Sequence, residues 1–93
     1  MEKLYSREFL MRLRNEVPME RLLCEVLNLP TKRVEGYLRF LCPLCGEFNT
    51  AVNPRTNLGR CFLCKRNFNP IDLVIAVKGC GFLTAVRFLS RLL

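Results

Sequence analysis

Two Cys-x-x-Cys pairs, Cys42/Cys45 and Cys61/Cys64, stand fifteen residues apart in CPLCGEFNTAVNPRTNLGRCFLC, and they restrict the possible folds more than any other feature of the chain. A tetrahedral zinc ion needs four soft ligands at one point, and a Cys-x-x-Cys on a tight turn supplies two of them. Two such turns complete the shell. The spacing is that of a zinc ribbon, in which neighbouring hairpins carry the two turns. A redox dithiol of the thioredoxin kind uses one pair in a βαβ setting, and the even two-plus-two spacing is unlike the common iron–sulfur patterns. The expected cofactor is therefore one Zn²⁺ held by Cys42, Cys45, Cys61 and Cys64. The chain has no histidine to offer instead. Four thiolates leave no open coordination position, so this zinc is expected to be structural.

A metal staple suits a chain of 93 residues, which is at the low end of what buries a stable core unaided. The other sequence signals place helices around the ribbon. SREFLMRLRNEV spaces Phe9, Leu10, Leu13 and Val17 at helical intervals behind a possible Ser6 cap. PMERLLCEVLNLP predicts a second helix between Pro18 and Pro30 marked by Leu22, Leu23, Val26, Leu27 and Leu29. Cys24 on that helix is expected to be a core thiol. From Gly36 to Asn69 the runs YLRFLC, TAVN and GRCF read as short antiparallel strands. In NPIDLVIAVKG, Asn69 caps a helix with Pro70 at its first position and Asp72 at the third, and Gly79 ends it. A last helix over about 83–92 places Phe82, Val86, and Leu89 or Phe88 on an apolar stripe with Arg87 and Arg91 outward. Cys80, between two glycines, reads as a small residue in a tight turn. The predicted architecture is one α+β domain: a helical lead-in over 1–33, a zinc ribbon with a short antiparallel sheet over 34–68, and C-terminal helices over 69–93.

Charge separates these segments. Residues 1–31 carry five basic and five acidic side chains, whereas the remainder carries ten basic residues against Glu35, Glu47 and Asp72. Seven of those ten lie between Lys32 and Arg66, so the basic stretch is the cysteine stretch. Arg39, Arg55, Arg60, Lys65 and Arg66 beside Phe62 combine cations for phosphates with a flat face for a base, as single-strand binders do. The plainer reading of the cations is a solvated surface, and Phe62 could equally cover the metal. Catalysis is not expected: one aspartate among eight scattered acidic residues forms no two-metal carboxylate cluster. Reduced paired cysteines, no leader-like apolar stretch near Glu2, Arg7, Arg12 and Arg14, and no apolar run near the roughly 20 residues of a bilayer span point to a cytoplasmic protein without a membrane partner.

The succession CP-x-C, VNP, CFLC, NPID and G-x-x-F-x-x-AV-x-x-L, between Val34 and Leu89, resembles the zinc-binding domain at the N-terminus of DnaG-type bacterial primases. The matching positions include Cys42, Pro43, Val52, Pro54, Cys61, Phe62, Cys64, Asn69, Asp72, Gly79, Phe82, Ala85 and Val86. Three features depart from that pattern. Cys45 stands where the family usually has histidine, GEFNTA replaces a Thr-Pro-Ser-Phe-like stretch in a shorter inter-pair segment, and Phe68 replaces a glycine. The resemblance implies a zinc ribbon that engages single-stranded DNA and helps choose where priming starts. The implied partners are a primase or polymerase catalytic domain or a replicative helicase. With no room for the family's polymerase domain, the chain is expected to be an excised domain or a stand-alone relative. A ribbon that docks a polymerase, helicase or transposition partner through the apolar FLTAVRFLSRLL stretch is the rival expectation.

Overall fold

The computed structural model describes residues 5–93; Glu2 and Lys3, used above for the leader and charge arguments, lie outside it. Helix α1, Arg7–Glu16, begins where the Ser6 hydroxyl accepts the Phe9 amide at 3.1 Å, and it turns Leu13 into the core. After Pro18 comes one short α-helical segment, α2, Met19–Arg21, which widens into a π-helical turn over Leu22–Val26. The predicted helix to Pro30 is thus cut short. Leu27 donates to the Leu22 carbonyl at 2.8 Å, Leu29 to that of Leu23 at 2.9 Å, and Asn28 takes a left-handed φ of 53°. Leu22 and Leu23 are fully buried, whereas Cys24 is exposed with its sulfur 3.8 Å from the Thr31 hydroxyl. The expectation of a core thiol there fails because the two leucines fill the core and the widened turn carries residue 24 outward.

Five strands follow as an antiparallel meander in sequence order: β1 Thr31–Val34, β2 Tyr37–Phe40, β3 Thr50–Asn53, β4 Leu58–Cys61 and β5 Arg66–Phe68. The first strand lies partly in the stretch read as helical lead-in. It pairs with β2 across the two-residue turn Glu35–Gly36, both at positive φ, the conformation that matches strand twist in a tight hairpin. Alternation divides the sheet into two faces. Leu38, Phe40, Thr50, Val52, Cys61 and Phe68 point inward to the helices, while Tyr37, Arg39, Ala51, Asn53 and Arg60 point the other way. Gly59 lies on the inner face because the Phe40 ring passes beneath it: a Cβ at residue 59 would meet ring carbons at 2.8 and 2.9 Å.

Helix α3, Pro70–Lys78, starts with the expected capping box: Asn69 accepts from the Asp72 amide and the Asp72 carboxylate accepts from the Asn69 amide. Gly79 in the left-handed region ends it. Helix α4, Phe82–Ser90, buries Ala85, Val86 and Leu89 and leaves Arg87 outside. Phe82, expected on its buried stripe, is instead exposed at the helix start. One continuous core joins both helical ends to the inner sheet face and includes Cys42 and Cys61. No single helix among the described residues is long and apolar enough to cross a membrane.

Candidate metal centre

The two cysteine pairs sit on turns built alike. In the first, Gly46 donates to the Cys42 carbonyl at 2.9 Å; in the second, Lys65 donates to the Cys61 carbonyl at 2.7 Å. The residue closing each turn is left-handed, Gly46 at φ 75° and Lys65 at φ 59°. Glycine adopts this readily and lysine does not, so the second turn holds Lys65 in a conformation that costs about 1 kcal/mol or more. Within the turns the Leu44 amide points at the Cys42 sulfur (3.4 Å) and the Cys64 amide at the Cys61 sulfur (3.3 Å). Amides aimed at sulfur favour thiolates.

The four sulfurs lie within 4.8 Å of one another, with Cys42–Cys64 at 3.9 Å and Cys45–Cys61 at 3.7 Å. Sulfurs each about 2.3 Å from a tetrahedral zinc stand about 3.8 Å apart, so the cluster has the dimensions of a closed Cys₄ shell. It suits one structural zinc ion, as the sequence spacing anticipates. No protein family matches the chain, and no curated protein matches it.

Electrostatics within the cluster favour a cation. Burial works against the Cys61 thiolate, but the Cys64 amide and the neighbouring Thr50 hydroxyl outweigh it and lower this thiol to about 6. Thr50 is fully buried opposite Cys61 in the ladder. Cys64 is pushed up to about 12 by burial and the three neighbouring sulfurs. At Cys45 the hydrogen bond from the Glu47 backbone works downward, while burial and the Cys42 thiol prevail and raise it. Once one sulfur is ionised, proximity resists further ionisation until a dication compensates.

A pH dependence follows with a definite sign. Zinc binds thiolates, and at neutral pH Cys45 and Cys64 must each release a proton to bind it, so affinity rises with pH. Two released protons give about a hundredfold gain per pH unit. Competition titration with a chromophoric chelator between pH 6 and 8 should show at least this slope; a pH-independent affinity would exclude the thiolate shell.

The structure separates the residues proposed from sequence as nucleic-acid contacts. Arg39, Arg55, Arg60 and Phe62 line one depression of about 700 Å³ on the outer sheet face, together with Tyr37. In register, Lys32, Arg39, Ala51, Arg60 and Asn67 form a single row across all five strands. Arg66 is not part of it. It pairs with Cys61 on the opposite face, its guanidinium 5.9 Å from the Phe68 ring centroid, and Lys65 stays in the cysteine turn. Tyr37 and Lys32, the latter 5.4 Å from the Phe48 ring centroid, join this face although sequence analysis did not single them out. Tyr37 shares the face of Arg39 through the alternation of YLRF, and Lys32 joins it through its pairing with Arg39. Of the apolar FLTAVRFLSRLL stretch, Ala85, Val86 and Leu89 are core; Phe82, Leu83 and Leu93 are exposed.

Proposed function

We propose that this protein is a zinc-ribbon module that binds single-stranded DNA with the outer face of its sheet, acts in priming of replication, and has no catalysis of its own. The observation carrying this reading is the cross-strand row of Lys32, Arg39 and Arg60 between two exposed aromatic rings, Tyr37 at 58% and Phe62 at 57%. Cations that track a backbone and flanking rings that accept bases are the two parts of sequence-tolerant single-strand binding. The small Ala51 between Arg39 and Arg60, which are two strands and about 10 Å apart, leaves room for a strand to approach the sheet. The priming role rests on the motif resemblance. The metal's part is to fix the hairpins that hold this row in register.

Titration of a labelled single strand at several salt concentrations tests the reading. Three phosphate contacts by Arg39, Arg55 and Arg60 give a slope of about −2 in log affinity against log salt. Replacing the three with alanine should flatten it, whereas Arg66→Ala should leave it nearly unchanged. Phe62→Leu should weaken binding by about 1–3 kcal/mol at constant slope. A triple variant that binds like wild type excludes this face.

A second reading is favoured by one observation. Leu44 and Leu63, at equivalent places in the two cysteine turns, are exposed at 49% and 59%. Apolar tips of this kind fit docking of the ribbon to a polymerase or helicase. Salt-independent association with such a partner, with no affinity for single strands, would establish it instead.

A further inference from the structure

Three guanidiniums share one hollow without a carboxylate partner for each. Arg39 comes from β2, Arg55 from the β3–β4 turn and Arg60 from β4, and Glu35 is the one acidic residue lining the same hollow. The ion pairs among the described residues are Arg12–Glu16 and Arg33–Glu20, so none of the three is neutralised. Arg60 donates only to the Asn67 side-chain oxygen, at 3.3 Å, and the Arg39 Nε is buried with no hydrogen-bond partner. A guanidinium keeps its charge at any physiological pH, so the hollow stays cationic and favours an anion.

The amount of charge selects among anions. Internal phosphodiesters bring one negative charge each, spaced a nucleotide apart along the strand. A triphosphate concentrates about four charges within the length of one nucleotide. Bidentate guanidinium–phosphate geometry suits its crowded oxygens. Tyr37, which is exposed, and Pro54 line the same hollow and offer an apolar face beside the cations on which a flat base can lie.

We propose that Arg39, Arg55 and Arg60 bind a nucleotide triphosphate, carried either by a free nucleoside triphosphate or by the 5′ end of a strand. The proposal rests on the outer face being the nucleic-acid surface and specifies the ligand group that occupies its centre.

The test uses the zinc-loaded full chain and three labelled strands that differ only in a 5′-hydroxyl, 5′-monophosphate or 5′-triphosphate. The triphosphate end should bind about tenfold or more tighter than the hydroxyl end at the same salt. A nucleoside triphosphate should displace it, and the nucleoside should not. Displacement by the free triphosphate with no preference among strand ends assigns the free nucleotide as the source; the reverse assigns the strand end. Arg55→Ala, in an exposed turn where folding is not at stake, should abolish the preference, as should Arg39→Ala with its zinc content verified. Arg87→Ala on α4 removes the same charge and should keep it. Equal binding of all three ends without displacement by the free triphosphate overturns the proposal and leaves the strand reading standing. The same holds if the monophosphate end binds as tightly as the triphosphate end and both bind tighter than the hydroxyl end. Binding of triphosphates with no affinity for the hydroxyl strand supports the proposal and overturns the strand reading. No binding of any probe overturns both.

Discussion

Replacing Cys61 with serine is expected to abolish stoichiometric zinc and to unfold the ribbon with it. Cys61 is fully buried at the end of β4, its sulfur 3.7 Å from that of Cys45, and it belongs to the same apolar core as the helices. Binding free energies of structural zinc, about 10–16 kcal/mol at neutral pH, are folding free energies where the site does not exist in the unfolded chain. Losing a ligand from such a site removes more than the 5–15 kcal/mol that holds a typical domain together can spare. Cys24→Ser and Cys80→Ser should keep both zinc and fold, because Cys24 is exposed and Cys80 sits in a turn with its sulfur 3.9 Å from the Val74 carbonyl. Native mass spectrometry gives the metal count and circular dichroism the fold. A folded, zinc-loaded Cys61→Ser protein would remove the metal centre from its place in this structure.

The next largest effect is expected at Asn57, a polar residue between the two cysteine pairs that no motif marks. Its side-chain oxygen accepts the Met19 amide at 2.9 Å, and its amide nitrogen donates to the carbonyls of Arg14 and Val17 at 2.7 and 2.8 Å. These three bonds fasten the β3–β4 turn to the junction of α1 and α2, where Pro18 leaves backbone groups without helical partners. The residue also holds a left-handed φ of 57°. Asn57→Ala should cost about 4 kcal/mol, roughly 1 kcal/mol for each hydrogen bond and 1 for the backbone. Asn57→Gly keeps the backbone at ease and should recover about 1 kcal/mol of that. Urea unfolding of the zinc-loaded proteins measures both. Equal stability of the wild type and the alanine variant would show that the three bonds are offset by solvent.

What the chain discloses in sequence is what its chemistry settles locally. Asn69-Pro70-Ile71-Asp72 caps α3 with its own side chains, and Ser6 does the same for α1, so both helix starts are legible. The cysteine turns are legible because zinc imposes one geometry on four sulfurs. The rest depends on partners distant along the chain. Strand β1, TKRV, has no apolar alternation and is a strand because β2 pairs with it. The turn at Glu35–Gly36 lacks the Asn-Gly signature that usually announces such hairpins. The π-helical turn at Leu22–Val26, which displaces Cys24, is settled by packing of Leu22 and Leu23 and leaves no mark on periodicity. Placing Arg60 with Arg39 but apart from Arg66 required the register of three ladders.

The division of the sheet into two faces has an evolutionary consequence. Arg39 lies between the buried Leu38 and Phe40, Ala51 between Thr50 and Val52, and Arg60 between Gly59 and Cys61. Arg39, Ala51 and Arg60 are therefore each the sequence neighbours of residues that hold the fold, and point to the other face of the sheet. Substitution at the outward positions changes the exposed surface while the inward positions and the four sulfurs stay as they are. Insertion of a single residue in β3 or β4 does the opposite, exchanging arginines for core positions and destroying both properties at once. Lineages carrying such a scaffold are free to change its outer surface by point substitution, and are closed to change by insertion within its strands.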